Sequence, residues 1–133
     1  MGVSRTHIQL VQAIANWVAV NCSENEHASI LLDLPECAPS NKPFTINGYI
    51  PDMYIKASRR VLGEAKTRLD IETNHSRAQY KAYLNHLKQY ENSIMVIAVP
   101  WFAVPQARSL INNIKKNQNA MNVKTIFIEK LAG

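Results

Sequence analysis

The chain has two cysteines in 133 residues, Cys22 and Cys37, and neither belongs to a CxxC or a Cys/His ligand spacing. A zinc site and a disulfide framework are thereby excluded, and both side chains read as reduced thiols. No apolar run approaches the roughly 20 residues needed to cross a bilayer. The N-terminus has no basic segment followed by a signal-like hydrophobic stretch. The expectation is a soluble protein of the cytoplasm, nucleoid-associated in a prokaryote, with no membrane partner. There are four glycines and no glycine-rich phosphate loop, and no nucleophile motif occurs, so a small-molecule transferase or acyl hydrolase finds no support. Internal repeats and low-complexity segments are also absent.

Against those absences stands a globular composition, 47% hydrophobic and 8% aromatic. The length suits one domain, residues 1–133, so any active site has to be built on a single core. Fifteen Lys and Arg against ten Asp and Glu leave a net charge of +5, which favours a polyanionic partner through phosphate contacts and counterion release.

Along the chain, Thr6 to Val20 has helical periodicity, with His7, Val11, Ile14 and Val18 on one face and Thr6 with Gln9 as a T-x-x-Q capping box. The polar stretch from Asn21 to His27 breaks that period, and Ala28 to Leu34 follows as a short apolar strand ended by Pro35. Asn47-Gly48 is a turn signal that introduces a second strand in YIPDMYI. The polar turn KASRR leads to a third strand in VLGEAKT, so residues 49–66 read as a hairpin. Ser76 is placed to cap a helix running to about Tyr90. SIMVIAVPW is a continuous apolar run of the kind that forms a central strand covered on both faces. Pro105 then opens a helix carrying Ala107, Leu110, Ile111 and Ile114, and VKTIFIE supplies the last strand. The order α, β, β, β, α, β, α, β predicts an α/β domain, a central mixed β-sheet flanked by helices on both faces.

Chemistry concentrates in the hairpin. Strand residues two apart project to one face, so Glu64 and Lys66 of GEAK present a carboxylate beside an ammonium. Asp52, on the partner arm, is within pairing reach of Glu64. Two neighbouring carboxylates suit Mg²⁺ or Mn²⁺, which takes one or two protein carboxylates and completes its octahedron with water and phosphate. Such a site hydrolyses phosphodiesters, with Lys66 positioning water and stabilising charge.

Pro51-Asp52 followed after a short turn by Glu64-Ala65-Lys66 resembles the signature of the PD-(D/E)XK nuclease superfamily, the restriction-endonuclease-like fold. The α-β-β-β-α-β order around these residues is similar to that family's core over roughly residues 5–100. The resemblance implies a nuclease, of DNA by family frequency, with a divalent cation held by Asp52, Glu64 and the Ala65 carbonyl. Gln79 and Tyr83 resemble the QxxxY motif of the RecB-like branch and share a helix face. By that resemblance Gln79 orients Lys66 or the water, and Tyr83 contacts the nucleic-acid backbone. Thr6 to Val20 lacks the acidic residue that many members carry in the first helix, leaving His7 there as the extra metal ligand or as a satisfied core histidine.

Arg77, Lys81 and Lys88 form a stripe along the helix, and Lys56, Arg59 and Arg60 cluster at the hairpin turn. They read as backbone phosphate contacts or as a solvated face. Trp101 and Phe102 either stack on a base or close the core, with core the stronger expectation. Cutting both strands of a duplex calls for a homodimer or a larger complex. A rival reading, drawn from the missing helix carboxylate, is a catalytically inactive nucleic-acid-binding or assembly module on the same fold.

Overall fold

The computed structural model describes residues 5–130. Helix α1 (Arg5–Asn21) is followed by a short helix α2 (Glu24–Ala28), strand β1 (Ile30–Leu32), the hairpin β2 (Met53–Lys56) and β3 (Arg60–Ala65), and helix α3 (Asn74–Leu87). Strand β4 (Ile94–Pro100), helix α4 (Val104–Asn117) and strand β5 (Lys124–Lys130) complete the fold. The sheet is five-stranded and mixed, in the order β1-β2-β3-β4-β5. The first three strands pair antiparallel and the last three parallel.

Alternation along the strands divides the apolar side chains between two layers. Met53, Ile55, Val61, Ala65, Val96 and Ala98 pack under α1, against Leu10, Val11, Ile14 and Val18. Tyr54, Leu62, Met95, Ile97 and Val99 face α3 and α4. The fully apolar β4 is thus covered on both faces, as its unbroken hydrophobic run predicts. Leu10, Val11, Ile14 and Val18 are each at most 1% exposed. Burial of such side chains contributes about 1.5–3 kcal/mol apiece. At Gly63 a Cβ would come within 2.8 Å of Ile14 Cγ2 and 3.1 Å of Met53 Cβ, so α1 seats directly on the backbone of β3.

Several expectations need correction. The polar Asn21 to His27 stretch contains α2, which is started by a Ser23/Glu26 capping box. The first strand is only three residues long. Thr6 lies inside α1, which already includes Arg5. Ser76 is not the cap of α3: Thr73 is, and its side chain accepts from the Ser76 N–H, while Tyr90 falls beyond the helix. Asn47 and Gly48 both have positive φ, and Ile46 and Tyr49 bridge across them, so the predicted turn is there, with regular pairing resuming only at Met53.

Trp101 and Phe102 do not close the core. They form a 3-10 turn after β4 and are 54% and 51% exposed.

Candidate active site

Asp52 stands one residue before β2, and the register Met53↔Gly63 extended by one step sets it opposite Glu64. The Glu64 side chain leaves the sheet on the α3 face, the parity of Leu62, whereas Asp52 lies outside the regular strand. The Asp52 N–H donates to Glu64 Oε1 at 3.2 Å, and Asp52 Oδ2 accepts from the Ala65 N–H at 2.8 Å. Because N–H and C=O of one strand residue point to the same side, the Ala65 carbonyl also faces Asp52. Lys66, just past the end of β3, places Nζ 3.3 Å from Glu64 Oε2 and donates to Gln79 Oε1 on α3. His7 reaches Asp52 from the first turns of α1, with Nε2 3.1 Å from Oδ1. The two strand ends, the start of α1 and the front half of α3 therefore meet at one place.

The electrostatics of this cluster are severe. Glu64 is 3% exposed, and burial, followed by the charge of Asp52, pushes its carboxyl well above the ordinary range, with Lys66 opposing. The Asp52 hydrogen bond holds the His7 imidazole above its usual value against the effect of burial. Burial and the charges of Glu64 and Asp52 push the Tyr83 phenol up, so it remains protonated.

Tyr83 sits on the same face of α3 as Gln79, one turn on. It is 0% exposed, and its hydroxyl has no hydrogen-bond partner of sound geometry among the described residues, although the Gln79 side chain stands near. A sealed phenol cannot touch an incoming backbone as placed, so Tyr83 lies beneath the site rather than at its mouth.

Asp33 is a residue the sequence reading passed over. The register Leu32↔Met53 extended by one step sets it beside Asp52, and its N–H donates to the Asp52 carbonyl at 2.9 Å. Its charge is felt at both His7 and Tyr83. Asp33, Asp52 and Glu64 therefore form a row across three adjacent strands, an arrangement that like charges destabilise unless cations offset it. The sequence signal was an acidic residue closing the ASILLDL run, which becomes informative only once the pairing of β1 with β2 is known.

The basic residues divide. Arg77 and Lys81 are exposed on the front half of α3, each two residues from Gln79 and so on the helix face turned away from it, and Arg77 Nε donates to the Glu72 carbonyl. Lys88 caps the far end of α3 and donates to the Gln118 carbonyl at 2.9 Å. Lys56, Arg59 and Arg60 sit at the hairpin turn, the opposite end of β3 from Glu64 and roughly 13 Å or more away by strand rise. Arg59 is engaged with buried Glu26, at 2.5 and 3.2 Å. Arg60 donates to the Tyr54 hydroxyl and lies 4.1 Å from the Tyr90 ring centroid. The structure does not bring these three to the carboxylates.

Among the described residues no three His, Cys, Asp or Glu side chains are grouped so as to hold a metal ion together. The Asp52 and Glu64 carboxylates stand beside the Ala65 carbonyl, and one or two carboxylates are what Mg²⁺ ordinarily takes from protein. No protein-family model, curated protein or solved structure matches the chain.

Proposed function

We propose that the chain is a divalent-metal-dependent nuclease, hydrolysing phosphodiester bonds of DNA on a restriction-endonuclease-like core. The observation that carries this reading is the linked set Asp52, Glu64, Lys66 and Gln79: the Asp52 backbone N–H holds Glu64, Glu64 and Gln79 hold the Lys66 ammonium, and the Asp52 carboxylate is held by the Ala65 N–H and His7. A purely structural ion pair at a buried strand end gains little over apolar packing, so one lysine among several carboxylates is better explained by chemistry.

The donors fit Mg²⁺ or Mn²⁺. Asp52, Glu64 and the Ala65 carbonyl offer hard oxygens, with the buried Tyr83 hydroxyl on the neighbouring helix. When bound, the cation supplies positive charge beside the scissile phosphate and makes water more acidic. Lys66, with its ammonium fixed by Glu64 and Gln79, orients the attacking water and offsets charge as phosphorus becomes pentacovalent. Gln79 is the positioning residue for that ammonium. His7 holds one oxygen of Asp52 and thereby sets the direction of the other. Arg77 and Lys81 supply phosphate contacts on the open side of α3. A homodimer or a larger complex would supply the second site that a double-strand break needs.

One observation favours the rival reading of an inactive nucleic-acid-binding module: both Asp52 oxygens are already engaged, by His7 and by the Ala65 N–H. A single experiment separates the two. Supercoiled, linear duplex and single-stranded DNA, with RNA alongside, are incubated with the chain in Mg²⁺, in Mn²⁺ and in EDTA. Cleavage that requires the metal supports the nuclease; salt-sensitive binding with no cleavage under any condition supports the module.

A further inference from the structure

Seven large hydrophobic side chains are exposed among the described residues, and four of them, Ile50, Leu69, Trp101 and Phe102, border the end of the sheet that carries the carboxylates. Ile50 precedes Asp52 by two residues, and Leu69 follows Lys66 by three. Trp101 and Phe102 follow β4, whose Ala98 pairs with Ala65 and accepts from the Lys66 N–H at 3.0 Å. Trp101 opens the 3-10 turn three residues after Ala98, at the same end of the sheet as the carboxylates. The two rings lie 5.8 Å apart and nearly perpendicular, at 86°, and each is about half exposed.

From this geometry we infer that Trp101 and Phe102 form a stacking platform for unpaired bases, so that the substrate carries single-stranded nucleotides beside the bond that is cut. This rests on the nuclease reading above. Exposed aromatic rings on a basic protein offer stacking to any base without sequence preference. In a duplex the base faces are already stacked and paired, so a rim aromatic meets one only at a tail, a flap or a frayed end. Strands β4 and β3 are neighbours and run parallel, so the turn that carries the two rings adjoins the strand end that carries Glu64 and Lys66. Exposed Arg68, next to Leu69, supplies charge of the sign that a nucleic acid needs and that an apolar protein partner would not.

The test uses the full chain, a blunt DNA duplex and the same duplex with a six-thymidine tail, read by titration in Ca²⁺ with cleavage followed separately. Wild type should bind the tailed duplex about tenfold more tightly, with quenched tryptophan fluorescence. Trp101→Phe should retain the preference and lose most of the quenching, which assigns the signal to Trp101 rather than Trp17. Trp101→Ala combined with Phe102→Ala should lose the preference while circular dichroism stays native. Equal affinity for both duplexes, a preference that survives the double variant, or a Trp101 signal that follows protein concentration instead of DNA would overturn the platform. Cleavage without quenching would remove the platform and leave the nuclease; quenching without cleavage in any metal would do the reverse.

Discussion

Tyr83 and Lys66 show how differently two buried polar groups can be treated in one cluster. The Lys66 ammonium has an acceptor on each side, whereas the Tyr83 hydroxyl has none among the described residues. An unpaired buried hydroxyl costs about 1–3 kcal/mol, so its retention points to a role outside stability. Tyr83→Phe should therefore raise the unfolding free energy by about 1 kcal/mol, while cleavage falls several-fold. Denaturant melts and rate measurements on the same preparation check this, and a variant both less stable and fully active would contradict it. Asp52, Glu64, Lys66 and Gln79 were legible in the sequence because their relation depends on short spacings: two along a strand, a hairpin apart, and one face of the next helix. Asp33 was not, because its neighbour is set by pairing between strands separated by a long loop. Trp101 and Phe102 were misread because their apolar character continues that of β4, and only the 3-10 turn after Pro100 carries them into solvent.

At the scale of elements, two contacts hold the site's supports. The first is the seat of α1 on β3 at Gly63, where any Cβ meets Ile14 and Met53. Gly63→Ala should cost about 1–3 kcal/mol by overpacking. The denaturant midpoint should fall with an unchanged m-value, and a midpoint equal to wild type would show that α1 can shift freely. The second contact joins α2 to the hairpin through Glu26 and Arg59. The Arg59 hydrogen bond is the largest influence holding the Glu26 carboxylate below its ordinary range. A carboxylate lowered in the folded state stabilises above its unfolded value of about 4.3 and loses that contribution as the pH falls through the folded value. Glu26→Gln should accordingly cost about 2 kcal/mol near pH 7, and its deficit should shrink below about pH 4. Thermal melts at pH 7 and pH 3.5 read this directly; an equal deficit at both would contradict the pairing. Helix α2 escaped the sequence reading because four polar residues and one alanine carry no apolar period, although Ser23 and Glu26 spelled a capping box.

For the whole molecule, the division of labour follows the sheet's two faces. One face is covered by α1 and the other by α3 and α4, and the buried carboxylates lie at the strand ends between α1 and α3. The alternation of helices and strands was readable because β4 and the two long helices have strong, unbroken patterns. Strand lengths and the exposure of the rim were not, since both are decided by tertiary pairing. The proposed nuclease activity assigns phosphodiester cleavage in DNA to the carboxylate row together with Lys66. The most direct test is the cleavage rate of wild type, Lys66→Ala and Asp52→Asn across a Mn²⁺ titration. An ammonium cannot ligate a cation, whereas a carboxylate contributes the charge that holds one. Raised Mn²⁺ should therefore restore part of the Asp52→Asn rate and almost none of the Lys66→Ala rate, each beginning at least a hundredfold below wild type. A folded Lys66→Ala protein that cuts at the wild-type rate would contradict the account.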